Sequence, residues 1–258
     1  MEAEEEKIVE HAKEAIHALT DKKKNWKEKI GGFLWEILII IIAVNLTIWF
    51  HSWSDKRHEQ ALVKEFLIDT RKSMVNDTIG IRAYINFMTN VPLVYYDSVL
   101  SQINNKKIDA HYIDSHIMTL TQNTGILFNF STYQGFSSAN NFRLIKNYSL
   151  SHSLIALYTE IYPQYKVIWQ QLDDRRRDAF DKYIAIKTGY YNNGKVKLSS
   201  IINQPEVIYV FQMGDFRIKN SNESFEELIG IINYYITLID KELKDRFDYI
   251  EKQDKTAP

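Results

Sequence analysis

The clearest hydrophobic pattern in the chain is an unbroken apolar run, Gly31 to Phe50, that carries a single charged residue, Glu36. As a helix with a rise of about 1.5 Å per residue, such a run spans about 30 Å, the thickness of a bilayer's hydrocarbon core. Aromatic rings that favour the headgroup layer lie near its two ends: Trp35, Trp49 and Trp53. The pattern predicts an uncleaved transmembrane helix over residues 31–53.

Apolar positions recur at helical spacing along the rest of the chain. They predict helices at about 55–90 (ending before Pro92), 93–104, 110–122, 149–171 and 174–188, with Pro163 kinking the fourth. Residues 189–205 carry turn signals and predict a loop or a small hairpin. The last helix is expected to start at a capping box formed by Ser224 and Glu227 and to reach Ile250.

These elements predict an all-α protein, in which a single N-terminal transmembrane helix continues into an antiparallel helical-bundle ectodomain. The expected domains are a cytoplasmic head with a short amphipathic helix at 1–30, the transmembrane helix at 31–53, a helical extracytoplasmic domain at 54–252 and a disordered tail at 253–258. Two interpretations of the head stay open: a docking helix for a cytoplasmic partner, or a solvated extension of the membrane helix.

Charge around the apolar run indicates its orientation. Residues 21–30 hold five lysines, whereas residues 55–64 hold three cations. Positive charge favours the cytoplasmic side, so we expect a bacterial inner-membrane protein with a cytoplasmic N-terminus and a periplasmic C-terminal domain. A net charge of −1 argues against a nucleic-acid partner, and the absence of cysteine excludes disulfides and thiolate metal sites.

Two sequence blocks resemble a family of single-pass envelope proteins from bacteroidete-type Gram-negative bacteria. The first block is Glu36-Ile37-Leu38-Ile39-Ile40-Ile41-Ile42-Ala43 with the exit Trp53-Ser54-Asp55. The second is Thr132-Tyr133, Ser137-Ser138 and Arg143-Leu144-Ile145-Lys146-Asn147, followed by Leu150, Ile155 and Tyr158. The chain departs from the family pattern at Trp35, Ala43 and Ala139-Asn140-Asn141. The resemblance implies architecture and an envelope location, and it implies no biochemical activity.

Two polar residues of the predicted membrane helix are candidate functional residues. Glu36 serves either as a buried carboxylate that contacts ions or a partner helix, or as a headgroup-level residue directed to water. Asn45 can hydrogen-bond between helices. Nine positions separate them, which places them about 180° apart around a helix and disfavours one pore through both.

Candidate catalytic groups are few. His111 and His116 are five residues apart, so they diverge on a helix and are predicted to be solvated together with Asp114. The run Asp173–Asp178 is predicted to be a solvated turn between helices. We therefore expect no catalytic residue, no metal and no cofactor, and a protein that is not an enzyme.

An aromatic and amide-rich block is the predicted interaction surface, because such mixtures suit protein or glycan contact. The alternative is a buried connection whose amides cap neighbouring helices. The residues are Tyr133, Phe136, Asn140, Asn141, Phe142, Arg143, Lys146 and Asn147.

Two functions follow from this pattern. The first is a membrane-anchored interaction or scaffold protein, with membrane lipid and an envelope protein or a second copy as partners. The second is a sensor or a transport-complex subunit that relays a signal through Glu36 or the stalk. An enzyme is a distant third.

Overall fold

The computed structural model describes residues 26–122 and 125–250, together with Lys13. This part of the chain is all-α and contains no strand, which confirms the predicted fold class. Of the head predicted at 1–30, the structure describes only Lys13 and residues 26–30, and the tail at 253–258 lies outside the described residues.

The described α-helices are α1 Trp26–Met88, α2 Val94–Asn104, α3 Ala110–Ser115, α4 Ser131–Ser138, α5 Tyr148–Ala156, α6 Tyr162–Phe180, α7 Ile186–Thr188, α8 Leu198–Ile201 and α9 Pro205–Phe247. Three π-turns join consecutive helices in this part of the chain: Thr89–Leu93, Leu157–Ile161 and Asp181–Ala185. Two 3-10 turns follow α3 and α4: Ile117–Leu120 and Asn141–Leu144.

The chain divides into two compact units, with the boundary between Leu62 and Val63. In the first unit, the side chains of residues 30–58 are exposed on every face of the helix. The apolar window there has a mean hydropathy of 2.2, and none of it is buried. By length and composition, this segment is long and apolar enough to cross a membrane, as the sequence predicts.

The second unit is a bundle in which α9 contacts two antiparallel partners. Residues early in α1–α2 contact the end of α9 or the residues after it, and residues late in α1–α2 contact the middle of α9. The contacts in chain order are Lys64 with Tyr249, Arg71 with Asp240, Thr89 with Asn222 and Asp97 with Lys219. The segment α5–α6 and its continuation follow the same rule: Asn147 with Glu242, Tyr165 with Phe225 and Tyr183 with Tyr209. The helices of the bundle are therefore antiparallel about α9, as predicted.

The predicted start of the last helix is wrong. α9 begins at Pro205, and Ser224 lies in the middle of it. Backbone N–H groups in the first turn of a helix have no partner within the helix, so proline, which lacks an N–H, is well suited to that turn. Gln204 is extended, so α9 starts at the next residue, Pro205. The predicted apolar stripe is buried from Phe225 to Leu243 and continues back to Val207. Its predicted end at Ile250 is wrong, because α9 ends at Phe247 and Ile250 is exposed.

α1 ends at Met88, before Pro92, and α2 begins at Val94, as the sequence predicts. Pro92 lies inside the π-turn that connects the two helices. The helix predicted at 149–171 is divided by a second π-turn, Leu157–Ile161, so that Pro163 lies in the first turn of α6. The wider turn accommodates the proline ring, and the chain stays helical. Residues 189–205 form a loop with Gly189 and Gly194 at positive φ and then α8, so the alternative of a loop is correct.

Candidate functional site

The predicted membrane residues all lie exposed on α1. Trp35 and Trp49 are exposed, and the ring of Trp53 lies 5.7 Å from that of Phe50. Glu36 is also exposed. The Asn45 amide donates a hydrogen bond of 2.8 Å to the Ile41 carbonyl of its own helix, which satisfies one of its two N–H groups without a partner helix.

The aromatic residues of the predicted interaction surface point into the bundle. Phe136 is buried and stacks on Phe66 with 3.8 Å between ring centroids. Phe142 packs edge-on against both rings. Tyr133 is half-buried and stacks on Tyr158 at 4.7 Å. The aromatic part of the predicted surface is therefore core packing between α1, α4 and α5.

The polar residues of the same block remain at the surface. Arg143 and Lys146 are exposed, and Asn141 is half-buried. Asn140 is exposed in the left-handed region at φ 54°. Asn147 accepts a hydrogen bond from the Leu150 N–H at 3.1 Å, which caps α5, as the alternative interpretation of the block expects.

An exposed patch results, which we call the α5 patch: Arg143, Lys146, Tyr148 and His152. The Tyr148 side chain is 74% exposed, and the His152 ring lies 4.1 Å from it. The Asn147 amide also donates to Glu242 of α9 at 2.9 Å, so the start of α5 is held in place on the bundle.

The histidine and aspartate residues of α3 do not gather into one site. Asp114 accepts hydrogen bonds from the Ser199 N–H and hydroxyl, at 2.9 and 2.8 Å, so it caps α8. His116 packs on Tyr112 instead. Over residues 26–122 and 125–250, no three His, Asp or Glu side chains are grouped in a way that could hold a metal ion.

The sequence analysis missed a buried carboxyl group. Asp77 on α1 is only 6% exposed and accepts hydrogen bonds from the Tyr162 hydroxyl at 2.9 Å and the Asn129 N–H at 3.4 Å. Burial outweighs these bonds and raises the pKa of Asp77 to about 6. The signal was present in the sequence, because Thr70, Ser73 and Asp77 share one face of α1 with its apolar stripe.

A second missed feature is a cleft between α6 and α9, which we call the arginine cleft. It encloses about 230 Å³. Its charged lining residues are Arg175, Arg176, Asp178, Lys182 and Arg217, and its remaining walls are Ala179, Tyr183, Tyr209, Val210, Met213 and Gly214. Four cations therefore face one carboxylate.

The buried member of the cleft is Arg176, which is 8% exposed. Its Nη2 donates to Asp173 at 2.9 Å, and Asp173 also binds Arg177 at 3.0 Å. The Arg176 Nη1 atom is buried and forms no hydrogen bond with a described residue. Burial raises the pKa of Tyr84 to about 12, and it also raises the pKa of Tyr96; the nearby Arg176 charge opposes both effects.

The cations of the cleft repel each other. Burial and the Arg175 charge both lower the pKa of Arg217, with burial the larger effect. The sequence analysis placed Asp173–Asp178 in a solvated turn, and the structure corrects this, because the run lies inside α6. Once α6 is continuous, Arg175, Ala179 and Lys182 fall on one helical face.

Comparisons of the chain with protein families, with curated proteins and with solved structures found no match.

Proposed function

We propose that the protein is a non-enzymatic, single-pass membrane protein that presents a helical domain for contact with other envelope components. One observation carries the proposal: an apolar helical segment with every side chain exposed belongs to a chain whose residues from Val63 onward form a separate helical unit. Such a segment needs lipid or another apolar surface around it.

The proposed location is the bacterial inner membrane, with a cytoplasmic N-terminus and a periplasmic domain. The lysine bias of residues 21–30 over residues 55–64 supports this orientation. The resemblance to envelope proteins, through the segment from Glu36 to Asp55, agrees with it.

The α5 patch is the proposed contact surface for an envelope protein or a second copy of the chain. Tyrosine and arginine are enriched in protein interfaces, and both are exposed here on a segment fixed by the Asn147 bond to Glu242.

Orientation is tested with single cysteines, because the natural chain has none. A membrane-impermeant maleimide added to spheroplasts is expected to label Asp174→Cys directly and Lys13→Cys only after lysis. The reverse labelling pattern would contradict the proposed orientation.

Contact is tested by crosslinking in native membranes, followed by identification of the crosslinked proteins. The wild-type chain is expected to give a discrete partner that the charge reversal Arg143→Glu with Lys146→Glu removes. The control Lys72→Glu with Lys107→Glu changes the same charge at exposed positions elsewhere and should keep the partner. Crosslinks unaffected by the α5-patch reversal would contradict a role for this surface, and self-crosslinks alone would favour a homo-oligomer over an envelope partner.

The second candidate function is that of a sensor or transport-complex subunit that acts through the membrane helix. Its supporting observation is the exposed carboxylate of Glu36 within the apolar segment. The substitution Glu36→Gln keeps the size and removes the charge. A change in ion flux or complex assembly, with the helical domain still folded, would favour this function, and an unchanged phenotype would count against it.

A further inference from the structure

We propose that the arginine cleft is a binding site for a phosphate-type dianion whose apolar or aromatic body lies against Tyr183, Tyr209 and Met213. This site is separate from the α5 patch, and it goes beyond the proposed membrane-anchored contact function. A phospholipid headgroup and a soluble phosphate ester share this chemistry.

The charge of the cleft is the first argument. Four cations and one carboxylate line it, in a chain whose net charge is −1. Asp173 is already shared between Arg176 and Arg177. Among the described residues, no carboxylate lies within ion-pair distance of Arg175, Lys182 or Arg217. The two negative charges of a phosphate dianion would offset most of the excess positive charge of the cleft.

The chemistry of the cations is the second argument. Arg175 and Arg217 line the cleft with guanidinium groups, whose paired N–H donors match the oxygens of a phosphate, and Lys182 adds a mobile point charge. Arg176 is nine-tenths buried, and its guanidinium lies beside the Tyr96 hydroxyl, so it contributes positive charge to the cleft wall.

The shape of the cleft is the third argument. Its volume of about 230 Å³ suits a phosphate with one small ring rather than a large cofactor. The rings of Tyr183 and Tyr209 lie 6.4 Å apart in an edge-on arrangement at one part of the wall. The π-turn Asp181–Ala185 carries both Lys182 and Tyr183, and π-turns are frequent at functional sites.

The test uses the full chain in a neutral maltoside detergent and phenyl phosphate as the probe. Calorimetric titration at pH 8 keeps the probe dianionic, since a phosphate monoester loses its second proton near about pH 6. Saturable binding with a Kd of about 1 mM or tighter is expected. The control is a titration with potassium chloride at equal ionic strength, which should show no saturable binding.

Variants assign the binding to the cleft. The double variant Arg175→Gln with Arg217→Gln should weaken binding by about tenfold or more, because it removes two charges from the site. Asp178→Asn should tighten binding by about threefold, since it removes the opposing carboxylate. Lys166→Gln, an exposed cation on the same helix outside the cleft lining, should stay within about twofold of the wild type.

A second measurement separates loss of the site from loss of the fold. The single variant Arg217→Gln should melt within about 2 °C of the wild type without a ligand, because its half-buried side chain lines the cleft. Weaker binding at an unchanged melting temperature cannot come from unfolding.

The two sources of the phosphate are distinguished in nanodiscs. Phosphatidic acid in the disc should abolish phenyl phosphate binding if a lipid headgroup fills the cleft, and should leave it unchanged relative to phosphatidylcholine discs if the ligand is soluble. Either result supports the site. Absence of binding by both phenyl phosphate and phosphatidic acid, or an equal loss in Lys166→Gln, would overturn the proposal.

Discussion

Gly214 shows how a single residue fixes the packing of α9. A Cβ atom at this position would lie 2.4 Å from Cε1 of Tyr96, whose side chain is fully buried. The absence of a side chain therefore lets α9 approach α2 closely. The close approach also places Gly214 in the wall of the arginine cleft.

We predict that Gly214→Ala destabilises the protein by about 1–3 kcal/mol, because the buried Tyr96 ring has little room to move. Gly230→Ala on the same helix is the control. Its Cβ meets no atom within 4 Å, so it should stabilise the protein by about 0.5–1 kcal/mol through helix propensity. Urea denaturation followed by circular dichroism measures both. Equal changes in the two variants would contradict the proposed packing.

Asp77 makes the stability of the bundle depend on pH. Its pKa in the folded protein is about 6, above the ordinary value of 3.8, so the folded state binds this proton more tightly. The resulting stabilisation is complete below about pH 4 and is lost as the pH rises through 6.

We predict that Asp77→Asn removes this pH dependence and is more stable than the wild type at pH 8 by about 1–2 kcal/mol. The asparagine oxygen still accepts from the Asn129 N–H, and its NH2 group donates to the Tyr162 hydroxyl in place of accepting from it, so both contacts persist without a buried charge. Denaturation at pH 4 and at pH 8 measures the difference. Asp174→Asn, at an exposed position of α6, is the control and should keep the wild-type slope. If the stability of Asp77→Asn still changed with pH as much as that of the wild type, Asp77 would not be the source of the pH dependence.

At the scale of elements, apolar periodicity predicted most helices but not their junctions. The stripe from Phe225 to Leu243 was readable because α9 buries one face along its whole length. The π-turns at Pro92 and before Pro163 were not readable, since proline normally signals a helix end and only tertiary packing selects the wider turn.

The same limit explains the candidate sites. The block at Tyr133–Asn147 was found from its residue types, but sequence could not say that Phe136 faces Phe66 while Arg143 faces solvent. The arginine cleft was missed because a charge run normally indicates a solvated turn. Its excess charge emerges only when α6 and α9 meet and bring Arg217 beside Arg175.

The antiparallel register of α1–α2 and α9 gives a further prediction. Thr89 and Asn222 share a side-chain hydrogen bond of 2.9 Å, so a cysteine at each position should form a disulfide under mild oxidation. Gel mobility before and after reduction measures it. Pairing Thr89→Cys with Glu226→Cys, an exposed position one turn further along α9, should give no disulfide. Equal crosslinking of the two pairs would contradict the register.

At the scale of the whole molecule, the division after Leu62 predicts two separable behaviours. The full chain is expected to enter the detergent phase of a Triton X-114 separation, because residues 30–58 expose apolar side chains. Residues 63–258 alone should stay in the aqueous phase and keep a cooperative melting transition. Aggregation of this fragment would show that the second unit does not fold independently.

The central place of α9 also dictates when the domain can form during synthesis. Arg71 meets Asp240 across 169 positions of sequence, and α6 packs on the same last helix. The pairing of α1–α2 and α6 with α9 therefore waits until residues 205–247 have left the ribosome. Contacts such as that between Tyr162 and Asp77 can form earlier, but the helical unit is complete only once α9 has been synthesised. Quality control by proteases and chaperones thus has the longest access to the faces of α1 and α6 that pack on α9, which are covered last.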